Sequence, residues 1–442
     1  MISLSKKKKL IKENSSNYLN KFVLSLFEST ERSEEVSSEP VRMHKEIELP
    51  SDLLELSKIF FEHGKKFYLV GGAVRDALLG KTPKDLDIAT DAQPREVIEI
   101  LKEYPNEYKV VELGVEFGVI QIITKAGGEY EVATFRKDIG AGRRPDSVEF
   151  TTIENDVKRR DLTINALFYD IQNKEVVDYV GGIKDLENGI VKTVGDPDER
   201  FGEDRLRVLR AVRFAGRMGS ELDKETYESI KNNPSLSGIS GERIRDEFLK
   251  CLKSAKDLNF LFAMLSDLDM WSQIFPGMEV IVEGNNFPSK LSDTSTNVIV
   301  ALLLKHNLKD VKGSKEFEKK LNKLRYTSKE VLEISGLLSL RVGLSDLSNL
   351  LFLKKQYDLS GLRKEDLEKF RAFGGGGSFD DSGLIAAFVR FVPSVTADEV
   401  LKDNPDMRKG PELGKEILRR EIEKFKEMRM LSELFSGRKY KF

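Results

Sequence analysis

The sequence predicts an α/β domain with a small mixed sheet, followed by an all-α remainder. Between Ser51 and Tyr179, apolar runs of four to six residues alternate with helical patterns such as Pro94–Lys102. From about Asp198 onward the strand-like runs disappear, and leucines and arginines recur at three- and four-residue spacings. This change of period indicates a head that contains a sheet and a body built of amphipathic helices.

Individual elements follow from local patterns. Strands are predicted in the head from short runs that are apolar or alternating, namely Phe67–Val70, Val110–Leu113, Val119–Thr124 and Glu131–Phe135. The glycine run Gly374–Gly377 predicts a flexible joint, and a strongly charged helix is predicted over about Pro411–Phe435. Residues 1–48 are rich in Lys, Glu and Ser, which predicts a partly disordered extension of unknown role with one short helix at Leu19–Phe27.

Composition excludes several classes of function. A formal net charge of −2 over 442 residues does not indicate general polyanion binding, so RNA contacts must come from local basic patches. The single cysteine, Cys251, can build neither a disulfide nor a thiolate metal site and is predicted to pack in the core. The three histidines form no His-Asp pair. No apolar run reaches transmembrane length, which predicts a cytoplasmic protein without membrane contact.

The most informative segment combines a glycine turn with two carboxylates. Gly71 and Gly72 follow the apolar strand Phe67–Val70, and glycines there let backbone N–H groups approach phosphate oxygens. Asp85 and Asp87 are two residues apart, so on a strand both carboxylates would share one face while Leu86 enters the core. Paired carboxylates can hold two divalent cations, which suits phosphoryl or nucleotidyl transfer.

This segment resembles the signature of the class II tRNA nucleotidyltransferases, the CCA-adding enzymes, together with their bacterial poly(A) polymerase relatives. The resemblance runs from about Phe67 to Lys250, with successive motifs in the same order. It implies an α/β nucleotidyltransferase head with a small mixed sheet, followed by an all-α neck, body and tail. The implied boundaries are an extension at 1–48, the head at 49–195, the neck at 196–265, the body at 266–373 and the tail at 374–442.

The resemblance also implies the site. Two Mg²⁺ ions would bind Asp85 and Asp87, with Glu131 beside them as a third catalytic carboxylate; the alternative for Glu131 is a solvated residue at the start of a strand. Asp161 and Asn165, four residues apart on a predicted helix, would select ribose. The residues that it implies in nucleotide binding are Gly71, Gly72, Arg75, Asp76, Arg160, Asp161, Asn165, Asp204, Arg207 and Arg210.

In this family, the residues that match Asp204 and Arg207 act as a protein template for the incoming base, and the chemistry of the two side chains explains how. Cytosine and adenine each present an amino donor beside a ring-nitrogen acceptor, whereas uracil and guanine present the opposite order. A carboxylate only accepts hydrogen bonds and a guanidinium only donates them. Together the two side chains match cytosine or adenine and leave unpaired groups against the other bases. The alternative is an ordinary amphipathic helix.

One loop is relevant to the addition of the terminal A. In full CCA-adding relatives a flexible loop helps to reshape the pocket for ATP, and this chain has a loop at 137–145 with glycines at 140 and 142. It carries Ala141 and Ile139 where many relatives have an acidic and an aromatic residue. Full CCA addition is nevertheless the expected activity.

The sequence therefore predicts template-independent addition of C, C and A to the 3′ end of tRNA from CTP and ATP. Two alternatives within the enzyme class are a poly(A) polymerase and a partial enzyme that adds only CC or only A. A further alternative is a catalytically inactive RNA-binding protein of the same fold. Protein partners cannot be predicted.

Overall fold

The structure is a computed structural model that describes residues 39–83, 85–140, 147–291 and 294–435. The chain folds into two compact units, the first ending at Ile239 and the second beginning at Ser240. The short helix predicted at Leu19–Phe27 and most of the loop at 137–145 lie outside the described residues.

The first unit is built on an eight-stranded sheet with the order β1-β10-β9-β2-β3-β6-β5-β4. Neighbouring strands pair antiparallel except for β3 and β6, which run parallel, so the prediction of a mixed sheet is confirmed. The sheet strands are β1 (Val41–His44), β2 (Phe67–Val70), β3 (Ile88–Thr90), β4 (Tyr108–Gly114), β5 (Val119–Thr124), β6 (Glu129–Thr134), β9 (Phe168–Asp170) and β10 (Glu175–Asp178). Two smaller pairs are β7 (Arg136–Ile139) with β8 (Ser147–Phe150), and β11 (Ile190–Val191) with β12 (Glu221–Leu222).

The helices of the first unit pack through apolar faces. In the first helix, Leu53, Leu56 and Phe60 recur at helical spacing and are fully buried. The third begins at a capping box in which Gln93 N donates to Glu96 Oε2 at 2.8 Å. The helices are α1 (Ser51–Glu62), α2 (Gly72–Leu78), α3 (Pro94–Leu101), α4 (Ile153–Lys158), α5 (Gly182–Asn188), α6 (Pro197–Glu203), α7 (Leu206–Met218) and α8 (Lys224–Asn232).

The sheet has more strands than the sequence predicts. Strands β2 and β5 have the predicted bounds, and β4 and β6 overlap the predicted runs. Residues 41–44, which the sequence places in the N-terminal extension, form the edge strand β1. The expectation that Asp85 and Asp87 both lie in a strand is wrong, because β3 begins at Ile88.

The second unit is all-α among its described residues, as predicted. Its helices are α9 (Gly241–Ser254), α10 (Leu258–Asp267), α11 (Trp271–Ile274), α12 (Thr296–Leu303), α13 (Ser314–Lys323), α14 (Ser328–Gly343), α15 (Leu350–Ser360), α16 (Lys364–Ala372), α17 (Ser382–Arg390), α18 (Ala397–Asp403) and α19 (Pro411–Phe435). Cys251 is 1% exposed in α9, which confirms its core position. Among the described residues of the whole chain, no helix has both the length and the apolar character needed to cross a membrane.

The glycine run at 374–377 is a packed turn, in contrast to the flexible joint that the sequence predicts. Arg341 Nε donates to the Gly375 carbonyl at 2.7 Å, and Lys305 Nζ donates to the Gly374 carbonyl at 2.9 Å. A Cβ on Gly375 would collide with the Phe370 ring, and one on Gly377 would lie 2.6 Å from the Arg341 carbonyl. Glycine is required here because the chain is tightly packed.

Candidate active site

The glycine turn at the end of β2 lies beside the second motif of the chain, which we define as residues 159–167. Gly71 has φ +67° and ψ −122°, a conformation that favours glycine, and its N–H donates to the Leu167 carbonyl at 3.0 Å. A Cβ added at Gly71 would lie 3.5 Å from the Asn165 carbonyl oxygen and 3.7 Å from Arg160 Nη1. Gly72 then begins α2. The turn therefore brings residues 71–72 close to residues 160–167, which are far away in the sequence.

Asp87 lies next to Glu131 because of the parallel pairing of β3 and β6. Ile88 pairs with Val132, and the Asp87 carbonyl accepts a hydrogen bond from Val70 N at 3.0 Å, which extends the sheet pairing by one residue. On β6, Tyr130 and Val132 are buried and Glu131 is exposed, so the Glu131 carboxylate is on the opposite face from the core. Leu86 packs against the core as predicted, while Asp85 and Asp87 are exposed.

The three carboxylates interact electrostatically. Partial withdrawal from solvent and the negative charge of Asp85 raise the pKa of the Asp87 carboxyl, while Arg160 lowers it. Partial withdrawal from solvent and the charge of Asp87 likewise raise the pKa of Glu131, against a lowering by Arg136. Negative charge is therefore concentrated here, and a bound cation would relieve the repulsion.

Arg160 is held at this position by a buried carboxylate that the sequence analysis missed. Asp156 is 1% exposed, and its Oδ2 accepts hydrogen bonds from Arg160 Nε at 3.1 Å and Nη2 at 2.9 Å. Its Oδ1 accepts from Arg159 Nε at 2.8 Å and from Arg136 N at 3.2 Å. The Arg160 guanidinium also lies over the Phe168 ring, 4.6 Å from its centroid. Asp156 therefore orients both arginines of the second motif.

We expect Asp156→Asn to lower the free energy of unfolding at pH 7 by about 3 kcal/mol, because it leaves two guanidinium groups without their buried counter-charge. Burial raises the pKa of Asp156, but the charges of Arg160 and Arg159 outweigh burial and hold that pKa below its ordinary value. The stabilisation is therefore present above the ordinary carboxyl pKa and is lost as the pH falls through the lower folded-state value.

Denaturant unfolding at several pH values measures this effect. Glu149→Gln, which changes an exposed carboxylate on the nearby strand β8, is the control and should leave stability unchanged. An Asp156→Asn variant as stable as the native protein at pH 7 would contradict the role of this carboxylate.

The segment that contains Asp161 and Asn165 is not the α-helix that the sequence predicts. Leu162 forms a β-bridge with Thr193, and only Thr163–Asn165 make a short 3-10 turn. Thr163 N donates to the Lys192 carbonyl at 2.9 Å, so pairing with residues 192–194 replaces helical hydrogen bonds. A side chain on Gly182 would collide with the Thr163 carbonyl, which explains the glycine there.

Asp161 and Asn165 nevertheless contact each other. Asn165 Nδ2 donates to Asp161 Oδ1 at 3.3 Å, and Arg210 donates to Asp161 Oδ2 through Nε at 2.8 Å and Nη2 at 2.6 Å. Burial raises the pKa of Asp161, but Arg210 outweighs it and the pKa lies below its ordinary value. Arg75 donates to Asn165 Oδ1 and, through Nη2 at 2.8 Å, to Asp76 Oδ1. Arg210, for which the resemblance implies nucleotide binding, is thus a hydrogen-bonding partner of Asp161.

Asp204 and Arg207 lie at a break between helices α6 and α7. Helix α6 ends at Glu203, and Asp204 Oδ1 accepts from Leu206 N at 3.1 Å, which caps the start of α7. Arg207 is paired with Glu203, and its Nη2 donates to the Arg159 carbonyl at 3.1 Å. Arg207 is thus connected to the second motif through the Arg159 carbonyl.

Known proteins resemble this chain in the same regions. Residues 67–192 match the family described as "Poly A polymerase head domain", and residues 219–281 match "Probable RNA and SrmB- binding site of polymerase A". A CCA-adding enzyme of Bacillus pumilus (strain SAFR-032) is 48% identical over 196 residues, which are 43% of this chain and 47% of that protein. One of Bacillus subtilis (strain 168) is 45% identical over 204 residues, covering 45% and 49%. The chain matches about half the length of these curated relatives.

Solved structures extend the similarity over most of the fold. The Bacillus stearothermophilus CCA-adding enzyme in complex with CTP has a TM-score of 0.58 at 25% identity, covering 83% of this chain and 90% of that one. The Thermotoga maritima CCA-adding enzyme complexed with tRNA has a TM-score of 0.57 at 20% identity, covering 87% and 94%, and shows the shared fold.

The mixed sheet, the glycine turn and the adjacent carboxylates define a head of the nucleotidyltransferase class. More particularly, residues 67–192 match the head domain of the poly A polymerase family, and the similar proteins reported above are CCA-adding enzymes. The family resemblance of the motifs is thereby confirmed.

Proposed function

We propose that this protein adds C, C and A to the 3′ end of tRNA from CTP and ATP without a nucleic-acid template. The observation that carries the proposal is the cluster of Asp85, Asp87 and Glu131 beside the Gly71 turn and Arg160. The named relatives support the nucleotide and RNA substrates. An enzyme that acts on tRNA would work in the cytoplasm.

The donor set fits two Mg²⁺ ions on Asp85 and Asp87. No group of three described His, Cys, Asp or Glu residues is arranged as a closed metal site. Mg²⁺ is commonly held by one or two carboxylates, with water and substrate phosphate completing its shell, so an open pair of aspartates suits it. Bound there, Mg²⁺ would lower the pKa of the tRNA 3′-hydroxyl and neutralise charge on the triphosphate.

The chain's own residues would bind and orient the reactants. The backbone N–H of Gly72 and the Arg160 guanidinium would hold the triphosphate, because the Gly71 N–H already donates to the Leu167 carbonyl. The 3′-hydroxyl oxygen of the tRNA would attack the α-phosphorus of CTP or ATP as the bond to pyrophosphate breaks, and the hydroxyl proton would pass to solvent. Asp161 and Asn165 would receive the ribose hydroxyls.

Base selection would fall to Asp204 and Arg207. Arg207 donates to Glu203 and to two backbone carbonyls through Nη1 and Nη2. Its Nε–H is not used in these bonds and would be the donor to the base. Asp204 would supply the acceptor beside it, a carboxylate whose Oδ1 accepts from Leu206 N. We further propose that residues 196–265 form the neck, which recognises the nucleotide base, and that the body at 266–373 and the tail at 374–442 bind tRNA.

Single-nucleotide extension tests the proposal. Three tRNA transcripts, ending before the CC, after the CC and after the CCA, are incubated with each nucleotide separately. We expect CTP to extend the first and ATP to extend the second, with no extension of the third. Repeated ATP addition to all three would instead indicate a poly(A) polymerase. Extension of only one transcript would identify a partial enzyme, and none would favour an inactive RNA-binding protein.

The loop between β7 and β8 gives a prediction about the terminal A. Asp138 on β7 lies 3.2 Å from Arg136 Nε and 3.7 Å from Arg159 Nη1, so the described base of the loop is attached to the second motif. We expect deletion of residues 139–142 to slow ATP addition to tRNA ending in CC far more than CTP addition to tRNA lacking it. Rates of both single additions measure the effect. Equal losses for the two nucleotides would show that the loop serves folding or general catalysis.

A further inference from the structure

A series of hydrogen-bonded polar side chains leaves helix α7, passes through Asp161 and Asn165, and returns to the same helix. Its first and last members are arginines on that helix, so the helix closes the series into a ring. The members of this polar ring are, in order, Arg210, Asp161, Asn165, Arg75, Asp76 and Arg217. The last link is a hydrogen bond of 2.9 Å from Arg217 Nη2 to Asp76 Oδ2. The Phe214 ring of the same helix lies 4.9 Å from the Arg75 guanidinium carbon.

Arg75 is the most deeply buried member of this ring. It is 2% exposed, and its Nε, Nη1 and Nη2 all donate to Asp76 or Asn165. A side chain that binds the triphosphate would need hydrogen-bond donors that face the substrate. The sequence assigns Arg75 to nucleotide binding, but its burial and its bonds support a role that acts through Asn165.

The two charged neighbours of Asn165 determine which way its amide points. A guanidinium has only donors, so the Asn165 atom that faces Arg75 must be Oδ1. A carboxylate has only acceptors, so the atom that faces Asp161 must be Nδ2. A reversed amide would place a donor against a donor and an acceptor against an acceptor. Arg75 and Asp161 together therefore fix the orientation of the amide.

This orientation has a consequence for the sugar. The second N–H of Asn165 Nδ2 is a donor beside the acceptor oxygens of Asp161. A ribose 2′-hydroxyl both donates and accepts, so it can bond to the two side chains at once, whereas a deoxyribose forms neither of these additional hydrogen bonds. Loss of Arg75 leaves the amide with the 3.3 Å bond to Asp161 and removes the bond that fixes its other end.

We propose that Arg75 is a positioning residue that sets the orientation of the Asn165 amide and thereby the preference for ribonucleotides over deoxyribonucleotides. The inference rests on the proposed function, in which Asp161 and Asn165 receive the ribose.

The test compares kcat/KM for CTP and dCTP on a tRNA that lacks CCA, using the full chain. Arg75→Met removes all donors while keeping an unbranched side chain. We expect it to lower the CTP/dCTP ratio of kcat/KM about tenfold, mainly because kcat/KM for CTP falls. Arg75→Lys should give an intermediate ratio, because an ammonium cannot hold two partners in a planar fork. Adding Arg75→Met to Asn165→Ala should leave the ratio of the Asn165→Ala protein unchanged.

Arg217→Met is the matched control, because it breaks the polar ring at Asp76 and keeps the Arg75–Asn165 bond. The CTP/dCTP ratio of the Arg217→Met protein should remain within about twofold of the native value. Equal losses for CTP and dCTP in folded Arg75→Met would overturn the inference. If that variant does not fold, Arg75→Lys decides, and an unchanged ratio overturns it.

The same assay separates this inference from the proposed function. A lowered ratio in Asn165→Ala with a native ratio in both Arg75 variants overturns only the role of Arg75. An unchanged ratio in Asn165→Ala contradicts the ribose assignment and the inference with it. A native protein that adds neither nucleotide contradicts the proposed function as a whole.

Discussion

We expect Asp87→Asn to lower nucleotide incorporation by roughly a thousandfold, because the carboxylate pair would supply several kcal/mol of transition-state stabilisation through its cations. The substitution keeps the shape of the side chain and removes one charge. Asp85→Asn should have a similar effect, since both carboxylates contribute to the same concentration of negative charge. The affinity for tRNA should change by no more than about twofold, because phosphate contacts elsewhere would dominate it.

A single-turnover incorporation assay in Mg²⁺, paired with a filter-binding measurement of tRNA, separates these effects. Glu129→Gln is the matched control, because Glu129 is exposed on β6 two residues from Glu131 and on the same face. This control should retain native activity. If either aspartate variant kept more than a few per cent of the native rate, the assignment of the cation site would be wrong.

The second expected result concerns the choice of base. Asp204→Ala removes the acceptor proposed for the exocyclic amino group, so the preference for CTP and ATP over UTP and GTP should fall roughly ten- to hundredfold. Arg207→Ala should weaken the same preference from the donor side. Selectivity should fall more than the overall rate, because the carboxylate cluster that would carry the chemistry is unchanged.

Asp204 also caps helix α7, so the loss of a cap has to be separated from the loss of a template. Asp223 caps α8 in the same way, since its carboxylate accepts from Thr226 N and Glu225 N. Asp223→Ala should cost about 1 kcal/mol of stability, as Asp204→Ala should through its cap. Its nucleotide selectivity should remain native. Equal selectivity in both variants, matching the native protein, would show that Asp204 serves helix capping alone.

The sequence predicts those strands whose residues are continuously apolar or alternate between apolar and polar. Strand β2 is fully buried and β5 alternates, so each run has a clear signal. Strand β3 has three residues, and β7 consists largely of charged residues, so neither gives a distinct hydrophobic pattern. The prediction that Asp85 and Asp87 share a strand therefore failed on β3, although the pairing of Asp87 with Val70 extends the sheet to that residue.

Local composition also cannot distinguish a packed turn from a linker. The glycine run at 374–377 is held by Lys305 and Arg341, which are 69 and 34 residues away from their bonding partners in it. Nothing in the run itself indicates those contacts. Glycine there reflects the close approach of other chain segments, which only the folded structure reveals.

The candidate site shows the same division between local and distant contacts. Asp156 precedes Arg159 and Arg160 by three and four residues, a helical spacing that the sequence does contain and that predicts ion pairs. The hydrogen bond of Arg217 to Asp76 joins residues 141 positions apart, and no local pattern predicts it. Motif resemblance identified most members of the polar ring, but the connections between them required the fold.

Sequencing of tRNA 3′ ends tests the central claim most directly. A tRNA transcript that ends at the position before CC is incubated with the protein, Mg²⁺ and all four nucleotides in equal concentration, and the ends are read after one and many turnovers. The account predicts that the added sequence is CCA and that extension then stops. Added uridine or guanosine, continued addition of A, or unchanged ends would contradict it.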